Sequence, residues 1–208
     1  MTSSDYARAR RLLMRRDPVL AALVRRVGAC GLATDQREDP FRALVEAIVW
    51  QQLSTKAAAT IFNRFLGLFE GRFPAPAELE RVPDTALRGV GFSRQKTAYL
   101  RDLSRHVLEG RLHLDRLDAL DDEAVVRELV QVKGIGRWSA EMFLMFRLHR
   151  PDVLPVDDLG IVKAIQRAYG LRKPPTPERI RKIGEAWRPY RSVASWYLWA
   201  SIDNVPAR

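Results

Sequence analysis

The sequence predicts an all-helical protein, and three observations carry that prediction. Apolar residues recur at the three-to-four-residue spacing of amphipathic helices along most of the chain. No segment reads convincingly as a strand. Candidate caps fall where helix ends need them: Ser93 and the Asp121-Asp122 pair before apolar stripes, Gly110 and Gly170 after them.

Taken in chain order, the first thirty residues interleave Arg8, Arg10, Arg11, Arg15, Arg16, Arg25 and Arg26 with short apolar pieces, and residues 1–40 are expected to form a helical extension packing on the remainder. Phe41, Leu44, Val45, Ile48, Val49 and Leu53 form the first clear stripe, and Ala58, Ile61, Phe62, Phe65 and Phe69 the second. After the Pro-rich break Phe73–Pro76, Ser93 can open a helix that carries Leu100, Leu103 and Val107 and stops at Gly110. Asp121 or Asp122 starts the next, burying Val125, Val126, Leu129 and Val130. Four more helices are expected over Arg137–Leu148, Leu159–Tyr169, Pro177–Trp187 and Tyr190–Ile202. The connections Leu112–Leu120 and Arg172–Pro177 are too short to be linkers between domains, so residues 1–208 are read as one helical unit.

Composition narrows the function. With 208 residues, 47% hydrophobic and 29% charged, the chain has a globular rather than a disordered balance. The single Cys30 excludes an intrachain disulfide framework, a four-cysteine zinc site and a cysteine-ligated iron–sulfur cluster. It suits a reducing, intracellular setting, and no targeting or membrane-spanning segment is visible. His106, His113 and His149 lack metal-ligand spacing. Thirty-five Lys and Arg against 25 Asp and Glu give a formal charge of +10, which points to a polyanion, with nucleic acid first among candidates.

Chemistry concentrates in two segments. Lys133-Gly134-Ile135-Gly136 forms a Gly-x-Gly turn between two helical patterns, at about 122–148. Glycines let a ligand approach the backbone, and the amides opening the next helix favour an anion. A plain interhelical turn is the other reading. Downstream, Pro155-Val156-Asp157-Asp158-Leu159-Gly160-Ile161 places two carboxylates before an apolar helix, where capping is the everyday role.

In this register the two segments resemble the helix–hairpin–helix superfamily of DNA base-excision glycosylases. Ile48 to Ser54, Val90-Gly91-Phe92-Ser93-Arg94 and Pro189-Tyr190-Arg191-Ser192 are similar to its alkylpurine branch, the bacterial 3-methyladenine DNA glycosylase II group, over about residues 41–202. The resemblance implies a two-lobed helical fold with the active site in the cleft between lobes. It also implies a monofunctional enzyme that flips alkylated bases out of damaged double-stranded DNA and hydrolyses the N-glycosidic bond. The family spacing of Asp, two residues and an aliphatic residue selects Asp158, with Ile161 three positions on, as the catalytic carboxylate. Trp199 matches the stacking tryptophan; Trp138, Met142 and Trp50 complete the implied pocket, Met142 standing where relatives carry an aromatic. The other reading of Trp187, Trp196, Tyr197 and Trp199 is a set of core aromatics.

The implied DNA contacts are Lys133, Gly134, Ile135 and Gly136 in the hairpin, with Gln51 and Gln52 reaching phosphate or the orphan base. Arg94 or Phe92 would be the wedge that fills the gap left by the flipped nucleotide. Bifunctional relatives carry a Schiff-base lysine where this chain has Trp138, so no lyase activity is expected. No cofactor is required, although relatives hold a sodium or potassium ion on hairpin carbonyls, here those of Val130, Val132 and Ile135. A monomer in a bacterial cytosol, at the nucleoid, completes the expectation. The competing functions are a non-catalytic helix–hairpin–helix DNA-binding module, in which Asp158 only caps, and a same-fold glycosylase for oxidised or mismatched bases.

Overall fold

The structure is a computed structural model and describes residues 3–32, 39–203 and 205. Among these, twelve α-helices follow in order: α1 (Ser3–Arg16), α2 (Pro18–Val27), α3 (Pro40–Trp50), α4 (Thr55–Gly67), α5 (Pro76–Arg81), α6 (Asp84–Gly89), α7 (Arg94–Leu108), α8 (Asp122–Leu129), α9 (Arg137–Met142), α10 (Leu159–Ala168), α11 (Pro177–Gly184) and α12 (Arg191–Ala200). Two 3-10 turns, Leu117–Ala119 and Glu185–Trp187, and a π-helical turn, Phe143–Arg147, complete the regular structure. No strand occurs among the described residues, so the all-helical expectation holds. Residues 1–2 and 33–38 of the expected N-terminal extension lie outside the described residues.

Local chemistry accounts for most boundaries. Ser93 Oγ accepts from Lys96 N at 3.1 Å and Asp121 Oδ1 from Ala124 N at 2.8 Å, which settles the second cap between two adjacent aspartates. Four expectations need correction, the first being Val130, expected to be buried with Val125, Val126 and Leu129 but 42% exposed just past the end of α8. The helix drawn over Arg137–Leu148 is α-helical only to Met142 before the π turn, and the one ending at Trp187 tightens into 3-10 geometry after Gly184. The stretch between the second stripe and Ser93 holds α5 and α6, six residues each, too short for a periodic stripe.

The chain divides into two compact units, one from Met1–Arg37 with Leu144–Pro206, the other from Glu38–Phe143. The second unit is organised on α7, which packs against α3, α5 and α6. Its core is phenylalanine-rich: Phe65 meets Phe69 edge-on at 5.4 Å and Phe92 at 5.6 Å between ring centroids. The Arg42 guanidinium lies 5.7 Å from the centroids of Phe62 and Phe73, and it bonds the buried Glu46 carboxylate at 2.8 Å.

In the first unit α12 is buried from Ser192 through Trp199, as a helix apolar on every side must be, and packs against α1, α2 and α10. A buried carboxylate joins distant parts of this unit. Asp17 Oδ1 caps α2 through Val19 N and Leu20 N, while Asp17 Oδ2 accepts from Trp187 Nε1 at 2.8 Å and from the Tyr169 hydroxyl. Burial, followed by the Asp17 bond, raises the Tyr169 hydroxyl well above its ordinary pKa, keeping it a donor.

Candidate catalytic carboxylate and nucleic-acid interface

The residues leading to α10 are tied down before the carboxylate appears. Ser192 Oγ accepts from Val153 N at 2.9 Å and donates to Arg150 O at 2.6 Å, and Arg191 Nε meets Asp152 Oδ1 at 2.8 Å. Two residues past Pro155–Val156, the neighbouring carboxylates part company. Asp157 is exposed, whereas Asp158 is buried at the N-cap of α10. Asp158 Oδ1 accepts from Ile161 N at 2.7 Å and from Trp199 Nε1 at 2.8 Å. The capping reading is therefore met in full, and beyond it the oxygen is fixed by a side chain 41 positions away. A carboxylate held this way is oriented at little entropic cost and favours nearby positive charge.

The expected base-stacking role of Trp199 does not fit its placement. The ring is 0% exposed, stacked on Phe146 at 6.2 Å between centroids, with its N–H spent on Asp158. No face is open to receive a base, and the indole serves the carboxylate instead. Among the other expected pocket residues, Met142 is buried and Trp50 is half-buried, edge-on to Phe62 at 5.3 Å. Trp138, in the first turn of α9, is 43% exposed, so its ring offers surface.

The hairpin turn is braced by three side chains of its own unit. Asp102 Oδ2 accepts from Lys133 N at 2.8 Å, Gln51 Nε2 donates to Gly134 O at 2.7 Å, and the Tyr99 ring lies flush on Gly134. A Cβ on Gly134 would fall 2.1 Å from that ring, and the residue sits at φ +84, so glycine is required twice over. Gly136 is different. It has ordinary φ and nothing within 4 Å of the place a Cβ would take, and as the N-cap of α9 it brings no side chain to the helix amides.

The expected hairpin contacts separate accordingly. The Lys133 side chain is 74% exposed while its amide is engaged, and Ile135 is buried with its N–H on Val132 O at 3.1 Å. The expected Ile135 contact to DNA through its amide is therefore not offered in this conformation, since that N–H is already engaged. No backbone amide donates to the carbonyls of Val130 and Ile135 among the described residues, and Val132 O retains a second lone pair, so the donor set suits a weakly bound monovalent cation. Among the described residues no His, Cys, Asp and Glu cluster could hold a metal.

The turn between α3 and α4 and the loop before α7 also differ from expectation. Gln51 does not face outward; its amide nitrogen is the brace on Gly134. Gln52 is exposed and left-handed at φ +56, unusual for a side chain of its kind. Phe92 is only 4% exposed and packs on Phe65, which excludes it as the wedge in this conformation, whereas Arg94 is exposed at the first turn of α7. Lys96, two positions onward, donates from Nζ to Val49 O at 2.6 Å and Gln51 O at 2.7 Å, and its pKa is lowered by burial. Lys96, Tyr99 and Asp102 were missed by sequence reasoning; their shared face of α7 was the available signal.

Residues 45–189 match the model of the HhH-GPD superfamily base excision DNA repair proteins. DNA-3-methyladenine glycosylase 1 of Schizosaccharomyces pombe is 37% identical over 166 residues, covering 79% of this chain and 73% of that one. A solved structure of the S. pombe 3-methyladenine DNA glycosylase Mag1 in complex with abasic DNA is similar with a TM-score of 0.83 and 34% identity, over 96% of this chain and all of that one. A DNA-3-methyladenine glycosidase structure from Bacillus halodurans gives a TM-score of 0.80 and 38% identity, over 90% and 85%.

Proposed function

Because the chain belongs to the HhH-GPD superfamily of base excision DNA repair proteins, we propose that it is a DNA glycosylase that removes alkylated bases, 3-methyladenine among them, by hydrolysing the bond from base to deoxyribose. The observation that carries the catalytic assignment is Asp158, buried and oriented by Trp199 and the Ile161 amide, beside an exposed Asp157 that lacks that environment.

Breaking an N-glycosidic bond builds positive charge on the sugar. The Asp158 carboxylate stabilises that charge, and water takes the anomeric carbon as the base departs. A cationic alkylated base leaves readily, so no separate general acid is needed. Flipping exposes the base to stacking, and Trp138 is the aromatic with surface to offer a cationic ring. Trp199 acts one step back, through Asp158. Lys133 and the hairpin take phosphate, and Arg94 fills the vacated stack in damaged double-stranded DNA.

With tryptophan at position 138 rather than lysine, the reaction stops at an abasic strand without a Schiff base. A sodium or potassium ion on Val130, Val132 and Ile135 carbonyls would add positive charge to the hairpin. The proposal extends to a monomer working in a bacterial cytosol, since one chain carries the carboxylate, hairpin and wedge. No helix of the described residues is long and apolar enough to cross a membrane. The test is release of free base from methylated duplex DNA. Release abolished by Asp158→Asn supports the assignment; DNA binding without release would return the chain to the non-catalytic reading, and release only from oxidised or mismatched duplex to the other substrate class.

A further inference from the structure

We propose that Lys96 is a positioning residue for base flipping, one that holds Gln52 in its left-handed backbone so that the Gln52 side chain stands ready for the gap. The inference rests on the glycosylase reading above and concerns a residue outside the groups that touch DNA in it. Left-handed backbone is unfavourable for glutamine, because its Cβ crowds the following carbonyl, and such a residue persists only where its surroundings fix it. Gln52 has φ +56 and an exposed side chain.

What fixes it can be traced atom by atom. The peptide group entering Gln52 carries the carbonyl of Gln51, and Lys96 Nζ donates to that oxygen at 2.7 Å. The same ammonium donates to Val49 O at 2.6 Å, so the turn is gripped at two carbonyls two residues apart. From the opposite direction the Gln51 side chain is tied to Gly134 O at 2.7 Å. The Gln51–Gln52 peptide is thus held by α7 and the hairpin in addition to the turn's own bond, Leu53 N to Trp50 O at 3.4 Å. Charge-assisted bonds to these two main-chain oxygens hold the ammonium. Lys96 also stands two residues after Arg94, so the helix that presents the expected wedge fixes Gln52 as well.

A simple helix cap would account for the bond to Val49 O but would have no consequence for discrimination of a gap, and this separates the two roles. Lys96→Met keeps the stem and removes the donors. Affinity is measured for a duplex with a central abasic site and for the same duplex undamaged, together with the melting temperature. The expected result is a fall of about tenfold in the abasic-to-undamaged affinity ratio, as the loss of charge-assisted bonds would give. Gln52→Gly added to Lys96→Met should recover melting temperature, since glycine adopts the left-handed backbone freely, but not the ratio, since it has no side chain to present. Lys96→Gln, which retains an amide donor, should fall between parent and Lys96→Met and serves in its place where the latter does not fold. An unchanged ratio, or a ratio restored by Gln52→Gly, overturns the proposal. A parent that releases no base overturns the glycosylase reading alone, because the gap-specific ratio still decides the role of Lys96.

Discussion

The two units use charge in opposite ways. Around Asp158 a carboxylate is withdrawn from water and supplied with donors, Trp199 Nε1 and Ile161 N, on one oxygen. On Glu38–Phe143 the braces are buried or half-buried and the working groups are left outside: Lys133 and Arg94 are exposed, while Asp102, Gln51 and Lys96 hold the backbone beneath them. The difference matches the roles proposed for each charge. Stabilising a sugar cation calls for a fixed dipole or charge in a site with little water, whereas neutralising phosphates calls for cations that can reach a hydrated polyanion and release its counterions.

Substitutions in the two units should have separable effects, the largest at Asp158. Asp158→Asn preserves the cap, since its carbonyl oxygen can still accept from Ile161 N, but removes the charge. Single-turnover base release should fall by about a hundredfold or more with DNA affinity kept, while Asp157→Asn should match the parent. Loss of release in Asp157→Asn with Asp158→Asn active would move the chemistry to the exposed neighbour.

Next comes the pair of hairpin glycines. Gly134→Ala meets both the Tyr99 ring and a left-handed backbone and should cost about 2–4 kcal/mol of stability. Gly136→Ala has room, so its thermal unfolding should overlay the parent's while DNA affinity falls. Equal melting losses in the two would show that Gly136 is structural as well.

Trp199→Phe removes one donor to a carboxylate and should lower kcat about tenfold with KM little changed. Trp138→Ala should chiefly raise KM. A Trp199→Phe variant altered in KM alone would restore the stacking role to Trp199. The smallest effect is expected for Lys133→Ala: affinity should drop a few-fold and the slope of log affinity against log salt should lessen by about one. An unaltered slope would mean that this ammonium meets no phosphate.

The sequence exposed the elements far better than the partnerships between them. Periodicity and caps located α3, α4, α7, α8 and α10, because each of those signals lies within about one helix length. The Gly-x-Gly turn was legible from spacing, whereas Asp158 was set apart from Asp157 only by the family resemblance; local sequence offered both as caps. Gln51, Phe92 and Trp199 were assigned outward-facing or base-facing roles because residue type and position allow either face. Only contacts across 83, 27 and 41 residues, to Gly134, Phe65 and Asp158, turn those side chains inward. Lys96 gave no signal of its own, since a lysine in the first turn of a helix reads as solvated surface until the carbonyls of Val49 and Gln51 are seen beneath it.

The bond network at Asp17 bears on what can be inherited or excised as a piece. The family match runs from 45 to 189, yet two donors inside it, Tyr169 and Trp187, spend their hydrogens on a carboxylate at position 17, and the indole that steadies Asp158 stands at 199. A fragment trimmed to the matched span would therefore strand buried polar hydrogens at one place and loosen the Asp158 carboxylate at another. What descends as a recognisable pattern and what folds as a working object have different borders in this protein, and the surplus at each end belongs to the enzyme's skeleton.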